Sequence, residues 1–234
     1  LPRTTILEMP QRWGTPGAKN SQSSENMGPT FVEFRHSPTV PAPGEPVTVR
    51  VKPQDPQGVA GCTLFWSTNS DTWFNLPMTP AADGYYLGSV PGHPAGRVVQ
   101  ILVEALDLAG RVSVFPAQGV DSRALYQVND GQGNVPLAHN IRMIMTSRDA
   151  AWLLSRTNLM SNGRIGCTVI YDEKEVFYDC GIRLKGSEHG RPQEVRIGFN
   201  LEFNAEQLFR GVHSTIALDR SGGGNRFGQD EILI

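Results

Sequence analysis

The chain is short of charge, of cysteine and of long apolar runs. Asp, Glu, Lys and Arg make up 19% of its 234 residues, below the roughly 25% of an average globular domain. Formal net charge is −2, so no global basic field points to nucleic acid or an anionic membrane as partner. The apolar runs are brief, and Gln100 interrupts the stretch from Val98 to Val103. A membrane-spanning helix needs ~20 apolar residues, so no span is expected. No pair of Cys or His has metal-ligand spacing, which argues against a metal site. The five histidines, His36, His93, His139, His189 and His213, are scattered, and only His189 sits inside a polar cluster. Neither a Gly-x-Ser-x-Gly element nor a His-Glu-x-x-His motif is present, so hydrolase chemistry has little support. The chain opens on Leu1 with no positively charged, apolar leader after it. It therefore reads as a fragment or a processed form, its signal peptide absent or already removed. The closing residues, Gly228 to Ile234, read as a helix that has just started.

What the chain has in quantity is Gly (25) and Pro (17), which favours turn-rich β structure over long helices. Residues 1–29 are polar and irregular and read as a linker or the tail of a preceding module. Residues 30–118 carry short strands at about 8–12 residue spacing, the pattern of an all-β sandwich. Strands are expected near Thr30–Arg35, Pro46–Lys52, Val59–Ser67, Trp73–Met78, Gly84–Val90, Val98–Asp107 and Arg111–Phe115. In the sixth, Val99, Ile101, Val103 and Ala105 face one way and Gln100 and Glu104 the other. Trp66 and Trp73 read as core and sheet-edge packing. Residues 119–138 read as a linker or long loop.

Beyond residue 139 the pattern is mixed, an α+β arrangement. Asn140–Met145 reads as a strand. Thr146 or Ser147 caps a helix whose apolar face is Ala150, Leu153 and Leu154, with Asp149 in its first turn. Ile165–Tyr171 and Glu175–Lys185 form a hairpin with its turn on Glu173-Lys174. That register sets Cys167 directly opposite Cys180. The two are then either joined in a strained cross-strand disulfide or packed side by side as small apolar side chains. Cys62 has no evident partner. Arg196–Phe203 reads as another strand. Asn204 then caps a short helix over Ala205–Arg210, with Gln207 at the capping-box position and Gly211 closing it. Val212–Leu218 is the last strand.

The densest chemistry lies in Tyr178-Asp179-Cys180-Gly181-Ile182-Arg183-Leu184-Lys185-Gly186-Ser187-Glu188-His189-Gly190-Arg191. Here a strand runs into a glycine turn carrying Arg183, Lys185 and Arg191. Cations and glycine N–H groups together suit phosphate, whose oxygens accept several charge-assisted bonds at once. The same residues also suit a solvated hairpin rim neutralised by Glu188 and Glu194. A second junction, Asp219-Arg220-Ser221-Gly222-Gly223-Gly224-Asn225, follows a strand and precedes the final helix. It offers either an anion site or a flexible connection, and it lacks the Gly-Lys-Ser/Thr of a Walker motif. Asp230 and Glu231 follow in the first turn of that helix.

Ile182-Arg183-Leu184-Lys185-Gly186-Ser187 resembles the Val-Gly-Val-Arg-Leu-Lys-Gly strand that opens the CotH kinase-like (spore coat protein H) domain. Leu208-Phe209-Arg210-Gly211 resembles the Phe-x-Gly-Leu element of that family. The resemblance covers residues 139–234, with 30–118 similar to an immunoglobulin or fibronectin type III domain before it. The Pro-Gly-Ala-x-Asn stretch from Pro16 to Asn20 resembles the exit of lamin-tail-type modules. The resemblance implies a mainly β chain, with an N-terminal β-sandwich followed by part of an α+β kinase-like lobe. It also implies a secreted or cell-surface location, an exported protein substrate or surface partner, and an atypical protein kinase using ATP and Mg. Arg183, Lys185, Ser187, Arg191 and Arg196 become the candidate contacts to nucleotide phosphates, while no catalytic residue is assigned. Family members carry a lysine-rich strand of the type Lys-Lys-Ser-Tyr-Lys-Leu-Lys-Phe after the turn. Here Asn200 and Glu202 stand where lysines are expected, and only Arg196 retains the charge. That fits a divergent subgroup or a binding-only homologue. The metal-holding acids of the family fall beyond Ile234, so these 234 residues are expected to be inactive alone. The competing expectation is a non-catalytic adhesion or scaffold module.

Overall fold

The computed structural model describes residues 26–133, 139–186 and 198–218, with Gly17. The protein is mainly β. The strands are β1 Thr30–Ser37, β2 Val47–Gln54, β3 Val59–Ser67, β4 Phe74–Pro77, β5 Thr79–Pro80, β6 Tyr86–Val90, β7 Val98–Asp107, β8 Val112–Phe115, β9 Leu125–Gln127, β10 Ile141–Ile144, β11 Ile165–Tyr171, β12 Glu175–Lys185, β13 Gly198–Glu202 and β14 Thr215–Leu218. An α-helix, α1 Ser147–Leu153, lies between β10 and β11. Among the described residues no helix is long and apolar enough to cross a membrane.

Among the described residues the strands form three antiparallel sheets, in the orders β1-β2-β6-β5, β4-β3-β7-β8 and β10-β11-β12-β13-β14. The first two share one core. Val47, Val49 and Val51 alternate with outward Thr48 and Arg50 along β2, and they meet Cys62, Leu64, Val99, Ile101, Val103 and Ala105 from β3 and β7. This is the period-two pattern of strands with one face buried. The residues expected on the outer face of β7 do point away from that core, yet Gln100 is only 2% exposed. Its amide donates to Val120 O at 3.0 Å and Ser122 O at 2.6 Å, and its carbonyl accepts from Ser70 Oγ at 3.1 Å. A buried amide of this kind must be satisfied, and the 118–122 segment supplies the acceptors. Residues 125–127, expected within a linker, pair as β9 with the first half of β7, while β8 pairs with its second half. Leu125 and Tyr126 of β9 are fully buried.

The third sheet is a meander with two buried faces near its middle. Cys167, Val169, Phe177, Cys180, Ile182, Leu184 and Leu201 join Leu153 of α1, Phe203 and Phe209 on one side. Ile144 and Ile170 pack against Leu125 on the other. The capped helix forms as the sequence indicates, with Thr146 Oγ1 accepting from Asp149 N at 3.1 Å. The helix expected over Ala205–Arg210 does not form. Asn204 spends its side chain on an Asx-type turn, accepting from Glu206 N at 3.1 Å. Gln207 donates across to Val176 O at 2.8 Å instead of back to Asn204. Arg210 and Gly211 both take positive φ, 51° and 74°, and Phe209 is drawn between Phe177 and Phe203. Aromatic burial outweighs a marginal helix of six residues.

The hairpin turn also departs from expectation. Tyr171 pairs with Glu175, so the turn is centred on Glu173, and Asp172 and Glu173 are left-handed at φ 51° and 57°. Continued unbroken, that register would set Cys167 against Asp179. A bulge intervenes: Val169 pairs with Phe177 but Cys167 pairs with Cys180, and Asp179 has φ 51°. The two one-residue departures cancel, so the expected Cys167–Cys180 opposition holds.

The bulge turns Tyr178 toward the first core. Tyr178 OH lies 2.5 Å from His36 Nδ1, and its ring contacts Phe34 edge-on. His36 Nε2 lies 3.0 Å from Thr39 O. A carbonyl only accepts, so Nε2 carries the proton and Nδ1 accepts from the tyrosine. Replacing Tyr178 with Phe keeps the ring and leaves Nδ1 buried without a donor. The expected loss is about 1–3 kcal/mol in urea unfolding.

Burial lowers the His36 pKa to about 4, with the Thr39 carbonyl opposing. The unfolded chain binds a proton near pH 6.5 that the folded chain refuses. The His36 contribution to stability is therefore full above pH 6.5. It falls by about 1.4 kcal/mol per pH unit below that and levels off near pH 4. Denaturant titrations from pH 7 to 4 on wild type and His36→Gln check this, the variant losing one proton's worth of slope.

Candidate functional site

The bulge also decides which side chains of β12 face outward. Before it, Phe177 points into the core; after it, Cys180, Ile182 and Leu184 do. The inward parity switches from odd to even. Asp179, Gly181, Arg183 and Lys185 are thereby carried off the core face. Arg183 and Lys185 stand half-buried at the end of the strand, before Gly186 at φ 111°. Across the ladder Arg183 meets Asn200 and Lys185 meets Gly198. Arg183 Nη1 donates to Asn162 Oδ1 at 3.3 Å. Of the five candidate phosphate contacts, these two are described. Ser187, Arg191 and Arg196 lie outside the described residues, as do Glu188, His189, Glu194, the 219–225 junction, Asp230 and Glu231.

Next to Arg183 the same face is built on an opposed glycine pair, Gly166 and Gly181. A β-carbon on Gly181 would come within 2.8 Å of Arg164 Cδ, and one on Gly166 within 2.6 Å of Arg123 Cγ. The missing side chains let two arginine stems lie flat across the strands. Arg164 Nε then reaches Glu202 Oε2 at 2.9 Å. Glu202, which replaces an expected lysine, thus has a specific partner, and the outer face is not uniformly cationic. A cleft of about 600 Å³ opens here, lined by Arg123, Arg164, Asp179, Glu202, Phe115 and Phe203 among others. Arg183 and Lys185 are not among its lining residues.

Arg123, like Arg164, carries no mark in the sequence. Its backbone N–H donates to Asp179 Oδ1. Its guanidinium holds Asp149 at 2.5 Å, with both side chains largely buried. Its carbonyl accepts from Thr168 Oγ1, which in turn accepts from Leu125 N at 2.8 Å. Burial raises the Asp179 pKa, against the Arg123 N–H bond and the Arg123 charge. No local signal marks Arg123, because its carboxylate partners are 26 and 56 residues away. A second network ties the hairpin turn to residues expected in the linker. Arg142 bonds Glu173 at 2.6 Å and Asp130 at 2.9 Å, and His139 Nδ1 lies 2.7 Å from Asp172. Another cleft, of about 460 Å³, lies where the 67–70 and 94–98 segments approach 146–148. Among the described residues no group of three or more His, Cys, Asp or Glu is placed to hold a metal ion.

No protein-family model matches the chain, and no curated protein matches it. Among solved structures, it is similar to a cycloalternan-forming enzyme from Listeria monocytogenes in complex with a pentasaccharide substrate. The identity is 11% and the TM-score 0.32, over 80% of this chain and 17% of that one. An uncharacterized Listeria monocytogenes protein in complex with glucose, magnesium and calcium aligns at 11% identity and TM-score 0.31, with the same coverage. The chain therefore spans 17% of the length of each. Likeness at this level assigns neither fold nor activity.

The Arg164–Glu202 pair is half exposed, at 35% and 46% of the two side chains. Pairs of this kind contribute little. Glu202→Gln is expected to change unfolding free energy by no more than about 1 kcal/mol, read from urea midpoints.

Proposed function

We propose that the chain is part of an exported or cell-surface CotH-like protein. In this reading residues 30–127 are an immunoglobulin-like sandwich, and the 139–218 sheet belongs to a phosphate-binding, kinase-like lobe. Arg183 and Lys185 contact the phosphates of a nucleotide. The observation that carries the reading is the parity switch at the Tyr178–Asp179 bulge. It keeps both cations, which share one strand face, off the core at the end of β12, next to a left-handed glycine. Two cations one residue apart on a strand give an anion two charge-assisted donors from a rigid base.

The donor set fits phosphate better than it fits a divalent ion. The described face offers Arg183, Lys185 and Arg164, and its two nearby carboxylates are already engaged, Glu202 by Arg164 and Asp179 by the Arg123 backbone N–H. A bound Mg would supply charge neutralisation at the phosphate. Arg183 and Lys185 would hold the same group from the protein side.

A second reading, a non-catalytic adhesion or scaffold module, is favoured by one specific observation. The first two sheets and the third meet through buried contacts, Tyr178 on His36 and Phe34 and Arg123 on Asp149. Such a joint suits a stiff spacer presenting a surface to an exported partner.

Equilibrium binding of ATP with Mg, at low and at physiological ionic strength, separates the two. Wild type is expected to bind. The double variant Arg183→Ala/Lys185→Ala is expected to bind at least about 10-fold more weakly, at roughly 1.4 kcal/mol for the lost charge-assisted contacts. Absent binding in wild type, or equal binding in both proteins, defeats the nucleotide role and leaves the scaffold reading.

A further inference from the structure

Cys167 on β11 and Cys180 on β12 are direct partners across the antiparallel ladder. Both thiols point into the same core cluster, and both are free and buried. Directly opposed residues of an antiparallel pair have Cα atoms about 4.5 or 5.5 Å apart, inside the 4.4–6.8 Å span that a disulfide bridges. Their β-carbons lie at or slightly beyond the separation the bond prefers, so the strands must draw together locally. The structure provides for that on both sides of the pair. On one side lies the bulge, two residues against one, where the ladder is already interrupted. On the other, Gly166 opposes Gly181, a pair with no side chains to resist the adjustment. Cys62 lies in the separate core of the first two sheets, too far off to compete.

We infer that Cys167 and Cys180 form an intrachain cross-strand disulfide when the chain folds in an oxidising compartment. The oxidant is a small-molecule disulfide of the glutathione class. One protein thiolate attacks it, forming a mixed disulfide and releasing one glutathione thiolate. The second protein thiolate attacks the protein-side sulfur and releases the other. The protein loses two protons and two electrons, and the oxidised glutathione takes them up to become two molecules of the thiol. In the finished fold burial raises the pKa of Cys180 to about 12 and holds that of Cys167 well above its ordinary value. Thiolate is then scarce and access closed, so the bond forms while the hairpin is still open, before α1 and Phe203 cover it. The inference concerns the hairpin alone and stands whether or not nucleotide binds.

The test refolds the full chain in a mixture of oxidised and reduced glutathione, then denatures and alkylates it with and without reductant. Peptide mapping follows. Without reductant only Cys62 should be alkylated, and the Cys167 and Cys180 peptides should be linked and two hydrogens lighter. In the Cys62→Ala variant no thiol should react until reductant is added. The oxidised chain should melt about 5–10 °C above the reduced one. Any of four results overturns the inference: alkylation of all three cysteines without reductant, separate glutathione adducts on the two residues, a link between chains, or an oxidised form without a cooperative transition.

Discussion

Asp179 sits in the interior of β12 at φ 51°, a conformation that costs most residues free energy and that Asp tolerates better than most. What holds it there is a set of bonds from outside its own hairpin. The Arg123 backbone donates to its carboxylate, and the Asp179 backbone N–H donates to Arg123 O at 3.3 Å. The extra residue shifts every side chain after it to the opposite face. Without it, Ile182 and Leu184 would face outward and Arg183 and Lys185 would enter an apolar core. Moving two cations into an apolar core is far costlier than one strained dihedral. The bulge is therefore the cheaper solution, and both the core and the cationic edge follow from it.

The same displacement joins the two parts of the molecule. Tyr178, the other bulge residue, reaches His36 and Phe34, while Arg123 bridges from the end of the first part to Asp149 at the start of α1. These contacts are buried and hydrogen-bonded, and they surround a small apolar seam of Leu125, Ile144 and Ile170. Low-dielectric surroundings strengthen each bond and penalise leaving any one unmade. The joint fixes the orientation of the β12 edge relative to the first two sheets.

Much of this was legible in the sequence. The alternation of β7, the Thr146 cap and the limits of β3, β7, β11 and β12 all follow from local periodicity and capping chemistry. The 204–211 segment was misread because its apolar Phe209 is satisfied by distant rings and not by a helix face. The burial of Gln100 was hidden because its acceptors, Val120 and Ser122, lie in a segment with no periodicity of its own. Of the candidate site, Arg183 and Lys185 could be named from the strand-then-glycine pattern. Arg164 and Arg123, whose stems lie on Gly181 and Gly166, could not be, since each glycine makes room for a residue on another segment.

Composition and period alone determined a mainly β chain with a hairpin at 165–185 and an Arg-x-Lys-Gly edge at its end. Those features depend on neighbours within a few residues. The tertiary structure alone decided that the turn and the bulge each shift the ladder by one residue, leaving Cys167 opposite Cys180 and the cations outside. That decision needed partners up to 142 residues away, such as His36 for Tyr178. A strand's own sequence cannot say which of its two faces the rest of the chain will bury.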